Sequence, residues 1–472
     1  MADTRGDAKT LYQRLHFSAW RAALTLCLSV LLAGFVALQP DYPGLSDAAR
    51  WTLFILVLAA ALWITEAIPA FAVALMVIGL EIGILGRPGG VFATKPDDWE
   101  RFISVWGSPL IWLFFGGFVL AAAAEKIDLG PWLSRHGLHY FGQRPGAQLL
   151  GCMVVTFIFS MFISNTAATM MMLSMMMPLT QAAPADDRYR KSLPIGIAFA
   201  ANFGGTATLI GSPPNAIAAG ALRSLEPLDF ARWMLAGLPP AVMLLVIAWG
   251  YLVLRYPSQA RRLERIAEHP ATSEKPATPL WTRAAVIAVF SLTVGLWLSS
   301  SLHGIPATVI SFVPICALTT LGVLDAGDIR RIPWDVLLLI AGGLALGVAV
   351  ADTGLASWMI EQMPIDELSA FSLALALGYV TVAISNLMSN TAATNILVPI
   401  AVAASVGAQS QTIVPLAICA SAAMCLPIST PPNALAYATG EIQTKDLLQG
   451  GLLMGLITPP IVTSWCWWAL AK

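Results

Sequence analysis

Residues Phe162–Thr169 read FISNTAAT, and the last six of them return unchanged as Ser389–Thr394, 225 positions later. Both copies lie in apolar surroundings, where a hydroxyl or carboxamide is costly to bury unless something pairs with it. A chain that spends Ser-Asn-Thr twice in such a place holds either two structural kinks or two halves of one site. The flanking sequence decides between them.

Of 472 residues, 57% are hydrophobic and 11% charged, against about 25% charged in typical globular domains. Apolar runs close to the length that spans a bilayer, about 20 residues, recur at Ala22–Leu38, Trp51–Ile64, Ala70–Leu85, Leu110–Ala124, Ala241–Leu254, Ala284–Leu298, Ile305–Leu321 and Val336–Val350. The composition predicts an all-α polytopic membrane protein, with the lipid bilayer as its solvent. A net charge of −1 gives no steering toward nucleic acid. The six cysteines (Cys27, Cys152, Cys316, Cys419, Cys425, Cys466) fall mostly in apolar segments and form no C-x-x-C, so they read as small buried hydrophobes, not a disulfide or metal framework. The first apolar run is long and is followed by no small-x-small site, so it is expected to stay as the first transmembrane helix. With a cytoplasmic N-terminus, alternating crossings place 19 of the 26 basic residues inside, among them those of the stretch Arg255–Lys275, and leave the acidic stretch Asp352–Glu367 outside. That asymmetry follows the positive-inside rule and predicts a multi-pass inner-membrane protein.

Four landmarks repeat in order: IPA at Ile68–Ala70 and Ile305–Ala307, a double glycine at Gly116–Gly117 and Gly342–Gly343, SNTAAT, and PPNA at Pro213–Ala216 and Pro431–Ala434. Their offsets are 237, 226, 225 and 218. The ordered set argues for an internal duplication. The first helix stands outside it. Each half reads as three helices, an SNT segment, a helix broken near PPN, and one more helix. If the SNT segment enters and returns on one side, each half crosses an odd number of times and the second is inverted. The result is about 11 transmembrane helices plus two re-entrant helical hairpins. The stretch 147–182 fits, because its roughly 36 residues make two arms of about 24 Å each at 1.5 Å per residue, enough to pass the midplane and return. Irregular backbone at membrane depth survives only where it lines protein or a cavity, and broken helices in paired inverted halves point to a transporter's binding site. The expected organisation is a tail and first helix (1–50), scaffold helices (51–146), hairpin and broken helix (147–255), a cytoplasmic loop (256–282), a second scaffold set (283–367), and a second hairpin and broken helix (368–472).

Ser-Asn-Thr offers two hydroxyls, a carboxamide and the free N–H groups of a starting helix, which suit an anion, while its oxygens suit a hard cation such as sodium. Ser160 and Ser164, like Ser385 and Ser389, are spaced i, i+4 on one face, and an oxygen near Gly211 or Ser429 would complete a shell. No Lys or Arg occurs in 147–187, 192–221 or 369–440, so dipoles, hydroxyls and co-bound cations must offset any anion there. A lone Ser or Thr in a membrane helix usually bonds its own backbone or packs helices; the ordered duplication argues against that reading here. Methionines 170–172 and 175–177 read as adaptable packing. Glu66 and Glu81 read as helix-end charges that snorkel, Glu66 also as a pin between scaffold and moving part.

At SNT (Ser164–Thr166, Ser389–Thr391), GSPPN (Gly211–Asn215) and STPPN (Ser429–Asn433), the chain resembles the divalent anion–sodium symporter family of di- and tricarboxylate transporters, over nearly its whole length. The resemblance implies eleven transmembrane helices, two re-entrant hairpins, a homodimer held by the scaffold, and a transport domain that slides elevator-fashion. It implies substrate contacts from Ser164, Asn165 and Thr166 on the inner hairpin and Ser389, Asn390 and Thr391 on the outer, flanked by Ser212, Pro213, Thr430 and Pro431. It implies one sodium site at Ser160, Ser164, Asn165 and Gly211, and another at Ser385, Met388 through its backbone, Asn390 and Ser429. One departure stands out: Ser174 aligns with Pro399, where the family pattern leads to proline in both arms.

The function these features predict is sodium-coupled import of a C4-dicarboxylate such as succinate, with no further cofactor. A sodium-independent exchanger of the same fold is the nearest alternative, and would need a basic residue near the site. Citrate and sulfate stay open as substrates. An intramembrane enzyme is disfavoured: His16, His136, His139, His269 and His303 fall in tails, loops or helix ends, and no H-E-x-x-H or G-x-S-x-G occurs. A channel is disfavoured because two hairpins closing on a buried site suit alternating access.

Overall fold

The computed structural model describes residue 20 and residues 23–39, 42–129, 141–142, 144–182, 184, 187–223, 225–226, 228–258, 278–362 and 368–471. The N-terminal tail, most of the arginine-rich loop and the end of the acidic stretch, with His16, His136, His139 and His269, lie outside the described residues. Among the described residues every regular element is helical. Six helices are long and apolar enough to cross a membrane: Asp47–Thr65, Glu100–Lys126, Phe230–Arg255, Leu280–Leu298, Trp334–Asp352 and Thr444–Ala469. Shorter apolar helices include Ala23–Ala37, Ala70–Gly86, Pro145–Ser160, Ala307–Thr320, Ala370–Ser385 and Asn390–Ala404. This is the polytopic all-α class that the composition predicts.

The chain divides into two compact units, residues 1–106 with 338–364, and residues 107–337 with 365–472. In the first, Ser46 caps the helix Asp47–Thr65 by accepting from the Ala49 N–H at 3.1 Å. At the far end Trp63 Nε1 donates to the Ala70 carbonyl at 3.2 Å and so holds the turn at IPA. Gly342 lies so close to the helix Ala70–Leu80 that a Cβ on it would stand 2.5 Å from the Ala74 Cβ. That helix does not stop at Leu80 but runs on as a π-helical stretch, Glu81–Gly86. Gly86 packs against Trp99 and Phe102. The continuation corrects one expectation. Glu66 is exposed, as a snorkelling charge requires, but Glu81 is fully buried and its carboxylate oxygens have no hydrogen-bond partner among the described residues.

The second unit repeats these devices. Trp297 Nε1 donates to the Ala307 carbonyl at 3.0 Å. Gly116 approaches the helix Ala307–Thr320 so that a Cβ would stand 2.6 Å from the Ser311 Cβ. In sequence, Trp297, Ala307, Ser311 and Gly342 are the second-half counterparts of Trp63, Ala70, Ala74 and Gly116. Each double-glycine helix therefore packs on the IPA helix of the opposite half. The landmarks mark places where the halves interlock.

Among the described residues this unit also holds two matching sets of five helices: α1 (Pro145–Ser160), α2 (Asn165–Ala182), α3 (Tyr189–Thr206), α4 (Pro213–Leu222) and α5 (Phe230–Arg255), then α6 (Ala370–Ser385), α7 (Asn390–Ala404), α8 (Gln409–Ser421), α9 (Pro431–Ala438) and α10 (Thr444–Ala469). Proline opens α1, α4 and α9, where its missing N–H would be unpaired anyway. α1 and α2 form a hairpin, and the Cys152 Sγ lies 3.2 Å from the Met176 Sδ across it. α2 packs on α9, and α7 on α4. Each returning arm thus rests on the short helix of the other half. Met172 and Met176 are buried and Met170 is exposed, so packing accounts for part of the methionine run. Four cysteines are buried as expected, but Cys27 and Cys316 are exposed, because they sit on outward faces of Ala23–Ala37 and Ala307–Thr320.

Candidate substrate and ion site

Both SNT segments sit at hairpin tips, with Ser164 and Ser389 just ahead of the first helical residues, Asn165 and Asn390. The two hydroxyls cap: Ser164 Oγ accepts from the Ala167 N–H at 3.3 Å and Ser389 Oγ from the Ala392 N–H at 3.2 Å. This is the N-cap geometry that leaves the other first-turn N–H groups free for a ligand. Asn165, Thr166, Ser389, Asn390 and Thr391 are half-buried, and Ser164 is exposed. Ser174 donates to the Met171 carbonyl at 2.7 Å, and α2 runs past it unbroken. Pro399 likewise stays inside α7.

One turn before each cap stands a second serine. Ser160 Oγ lies 2.7 Å from Asn165 Oδ1 and 2.7 Å from the Ala201 carbonyl oxygen. Ser385 Oγ lies 2.8 Å from Asn390 Oδ1 and 2.9 Å from the Ala420 carbonyl oxygen. Each triangle gathers three oxygens around a single hydroxyl proton, since carbonyl and carboxamide oxygens only accept. Such oxygen-rich clusters suit a hard cation. Gly205 lies against the Asn165 carboxamide, where a Cβ would come within 2.3 Å of Oδ1, and Gly211 lies against Gly205, where a Cβ would meet its carbonyl oxygen at 2.6 Å.

The predicted ion-site residues are therefore partly gathered. Ser160 meets Asn165, Asn165 and Gly211 both lie against Gly205, and Ser385 meets Asn390. Ser164 points away to its capping bond. Ser429 turns to Asn386: its hydroxyl lies 3.0 Å from Asn386 Oδ1 and 3.2 Å from the Asn386 carbonyl oxygen. Met388 is buried, its N–H donating to the Ile384 carbonyl at 3.2 Å.

Behind the tips, the breaks themselves are closed by the PPN asparagines, which the sequence reading left without a role. Asn215 Nδ2 donates to the carbonyls of Gly205 (2.8 Å) and Thr208 (2.7 Å), and Asn433 Nδ2 to those of Met424 (2.9 Å) and Leu426 (3.1 Å). A broken helix leaves carbonyls without donors, and one carboxamide in each half supplies them. The repeat itself carries the signal for them, since Asn is part of the duplicated PPNA.

The two breaks also reach across to each other. Asn202 Nδ2 donates to Thr430 Oγ1 at 3.1 Å, and Ser421 Oγ approaches Ser212 Oγ to 3.5 Å. Asn202 and Ser421 are equivalent positions, as are Ser212 and Thr430, so the contact is made twice with the halves exchanged. Each follows directly on the carbonyl that its own hairpin serine reaches, Ala201 or Ala420. The hydrogen bonds thus lead from each tip to a common crossing. Ser212 and Thr430 are buried there, Pro213 half-buried and Pro431 exposed.

Ser164 opens on a cavity of about 380 Å³ that it shares with Glu125, Lys126, Asp328 and Arg331. Lys126 is paired with Asp328 and lies 3.5 Å from Asp325. The Asp328 and Gly327 N–H groups hold the Asp325 carboxyl below its ordinary value, so it stays charged opposite the lysine. The SNT and PPN segments carry no basic residue, yet folding brings Lys126 and Arg331 to the cavity beside one tip.

A family model described as citrate transporter matches residues 60–417. The sodium-dependent dicarboxylate transporter SdcS of Staphylococcus saprophyticus is 30% identical over 462 residues, covering 90% of this chain and 86% of that protein. SdcS of Staphylococcus aureus is 31% identical over 438 residues, covering 85% and 82%. Among solved structures, the fold is similar to the YdaH transporter of Alcanivorax borkumensis (TM-score 0.54, 12% identity, covering 90% of this chain and 98% of that one). It is also similar to MtrF of Neisseria gonorrhoeae (TM-score 0.52, 10% identity, covering 85% and 95%). At these identities the structural likeness is one of fold.

Proposed function

The chain belongs to the divalent anion–sodium symporter family, and from that premise we propose that it imports a C4-dicarboxylate such as succinate together with sodium by an elevator mechanism. It is a sodium-coupled carboxylate transporter, not an enzyme. The name of the SdcS relatives, sodium-dependent dicarboxylate transporter, supports a dicarboxylate over citrate or sulfate. The observation that carries the coupling is the doubled oxygen triangle, Ser160–Asn165–Ala201 and Ser385–Asn390–Ala420. Two cations held there offset the charge of a dianion lying between the two first turns, where free N–H groups and the SNT side chains meet it.

In this reading 51–146 and 283–367 form the scaffold of a homodimer in the inner membrane, with a cytoplasmic N-terminus. The parts 147–255 and 368–472 move as one body and carry substrate and sodium across. Radiolabelled succinate uptake into proteoliposomes is expected to need an inward sodium gradient. Equal uptake in potassium or choline overturns the coupling.

A second reading rests on Arg331, a guanidinium beside the Ser164 tip. A cation there gives an anion an alternative to sodium, as dicarboxylate exchange requires. Counterflow of succinate in sodium-free medium, abolished in Arg331→Gln, is the result that selects it.

A further inference from the structure

The two halves differ at one corner of the site. In the first, Thr208 ties the hairpin to the broken helix, its hydroxyl donating to the Met161 carbonyl. In the second, Asn386 stands at the position equivalent to Met161 and does the tying with its side chain. Its Oδ1 accepts from the Cys425 N–H at 2.8 Å and from the Ser429 hydroxyl at 3.0 Å, while its Nδ2 donates to the Val382 carbonyl at 2.8 Å. The Leu426 N–H in turn donates to Ser429 Oγ at 3.1 Å. The carboxamide thus links two stretches: its own helix α6, through Val382, and the break between α8 and α9, which it holds at both Cys425 and Ser429.

Asn386 directly follows Ser385, the serine of the second oxygen triangle. Ser385 reaches the Ala420 carbonyl on α8, and Asn386 reaches the chain just beyond α8, so hairpin and broken helix are fastened at two adjacent residues. In the first half the triangle and the Thr208 bond make this junction, with an apolar methionine in place of the carboxamide.

We propose that Asn386 is a positioning residue for sodium: it pre-assembles the Ser385–Asn390–Ala420 cluster, so that the second-half site binds its cation more tightly than the first. A site already held in its bound shape loses less freedom when the ion arrives. The proposal rests on the sodium-coupled reading and adds that the two sites are unequal.

The test is Asn386→Met, which installs the first-half residue. Succinate uptake and sodium-induced thermal stabilisation are measured across a sodium titration in purified, reconstituted protein. The expected result is a rise of about tenfold or more in the sodium half-saturation concentration, the size seen when a group behind a metal ligand is lost, with the succinate KM at saturating sodium within about twofold. A purely structural Asn386 lowers uptake at every sodium concentration without moving the half-saturation point, and that outcome overturns the proposal. If Asn386→Met does not fold, Asn386→Ser, too short to bridge Cys425 and Ser429 together, carries the same expectation. Should wild type need no sodium at all, the symport reading fails. Should wild type need sodium and both variants titrate like it, only the present inference fails.

Discussion

Gly205 sets the tolerance of the first triangle. A Cβ there would stand 2.3 Å from Asn165 Oδ1, whereas one at Gly250 on α5 would meet nothing within 4 Å. Gly205→Ala is therefore expected to push the carboxamide off Ser160 and abolish sodium-dependent stabilisation, while Gly250→Ala, which adds helix propensity, keeps uptake at wild-type level. Differential scanning fluorimetry with and without sodium reads both, and a sodium response retained in Gly205→Ala would show that the triangle does not bind the ion. A second residue-scale expectation concerns Asp98, whose carboxylate takes the Lys95 and Thr94 N–H groups and the Arg101 guanidinium. These hold its carboxyl well below the usual carboxylate range. A depressed pKa stabilises the fold above the unfolded value, about 3.9, and that contribution fades as pH falls toward the folded value. Asp98→Asn is expected to lower the melting temperature at pH 7, with the gap to wild type narrowing below about pH 4; a gap constant with pH contradicts it. Ser160, Asn165, Ser385 and Asn390 were legible in sequence because they repeat. Asn202 was not. It is one polar residue in an apolar run, and its partner Thr430 lies 228 positions away.

At the scale of elements, each broken helix stands only because something satisfies its open carbonyls. Asn433 supplies two of them, and a buried polar group left without its partner costs about 1–3 kcal/mol. Asn433→Ala and Asn215→Ala are each expected to lower the melting temperature equally with and without sodium, since the loss falls on the break and not on the ion. A loss seen only in sodium reassigns these residues to the ion site. The same reasoning applies to the double glycines. Gly116→Val would drive a side chain into Ser311 and is expected to destabilise the fold or block it, whereas Gly347→Ala, with nothing within 4 Å, is expected to be silent. Periodicity and punctuation were enough to place the hairpins, the breaks and the duplication. They were not enough to show that each double-glycine helix and each returning arm packs on the opposite half. Offsets in a sequence report equivalence, not adjacency. The π-helical stretch that buries Glu81 was hidden for a related reason, because its flanking residues are apolar whether the helix ends or continues.

For the whole molecule, the proposed elevator requires that α1–α5 and α6–α10 travel together while the hairpin tip moves against the elements across its cavity. Two kinds of contact separate these roles. Arg190 forms a two-bond ion pair with Glu441 (2.9 and 2.6 Å), and Lys191 reaches Asp446 at 3.0 Å. Both pairs join the start of α3 to the start of α10 or the residues just before it, so they tie first half to second within the body proposed to move. Residues so far apart in sequence, each an ordinary charge at a helix end, gave no sign of this clamp beforehand. By contrast, Ala167 near the hairpin tip and Ile332 ahead of the helix Trp334–Asp352 face one cavity from parts proposed to separate. With the native cysteines replaced, bridging Arg190→Cys to Glu441→Cys by a short thiol cross-linker is expected to leave most succinate uptake intact. Bridging Ala167→Cys to Ile332→Cys is expected to stop uptake while leaving sodium-dependent stabilisation in place, because the site is whole but cannot travel. A transporter working at full rate with the second bridge closed would rule out movement of the hairpin against that wall, and a rocking of smaller parts around a fixed crossing of the two breaks would have to replace it.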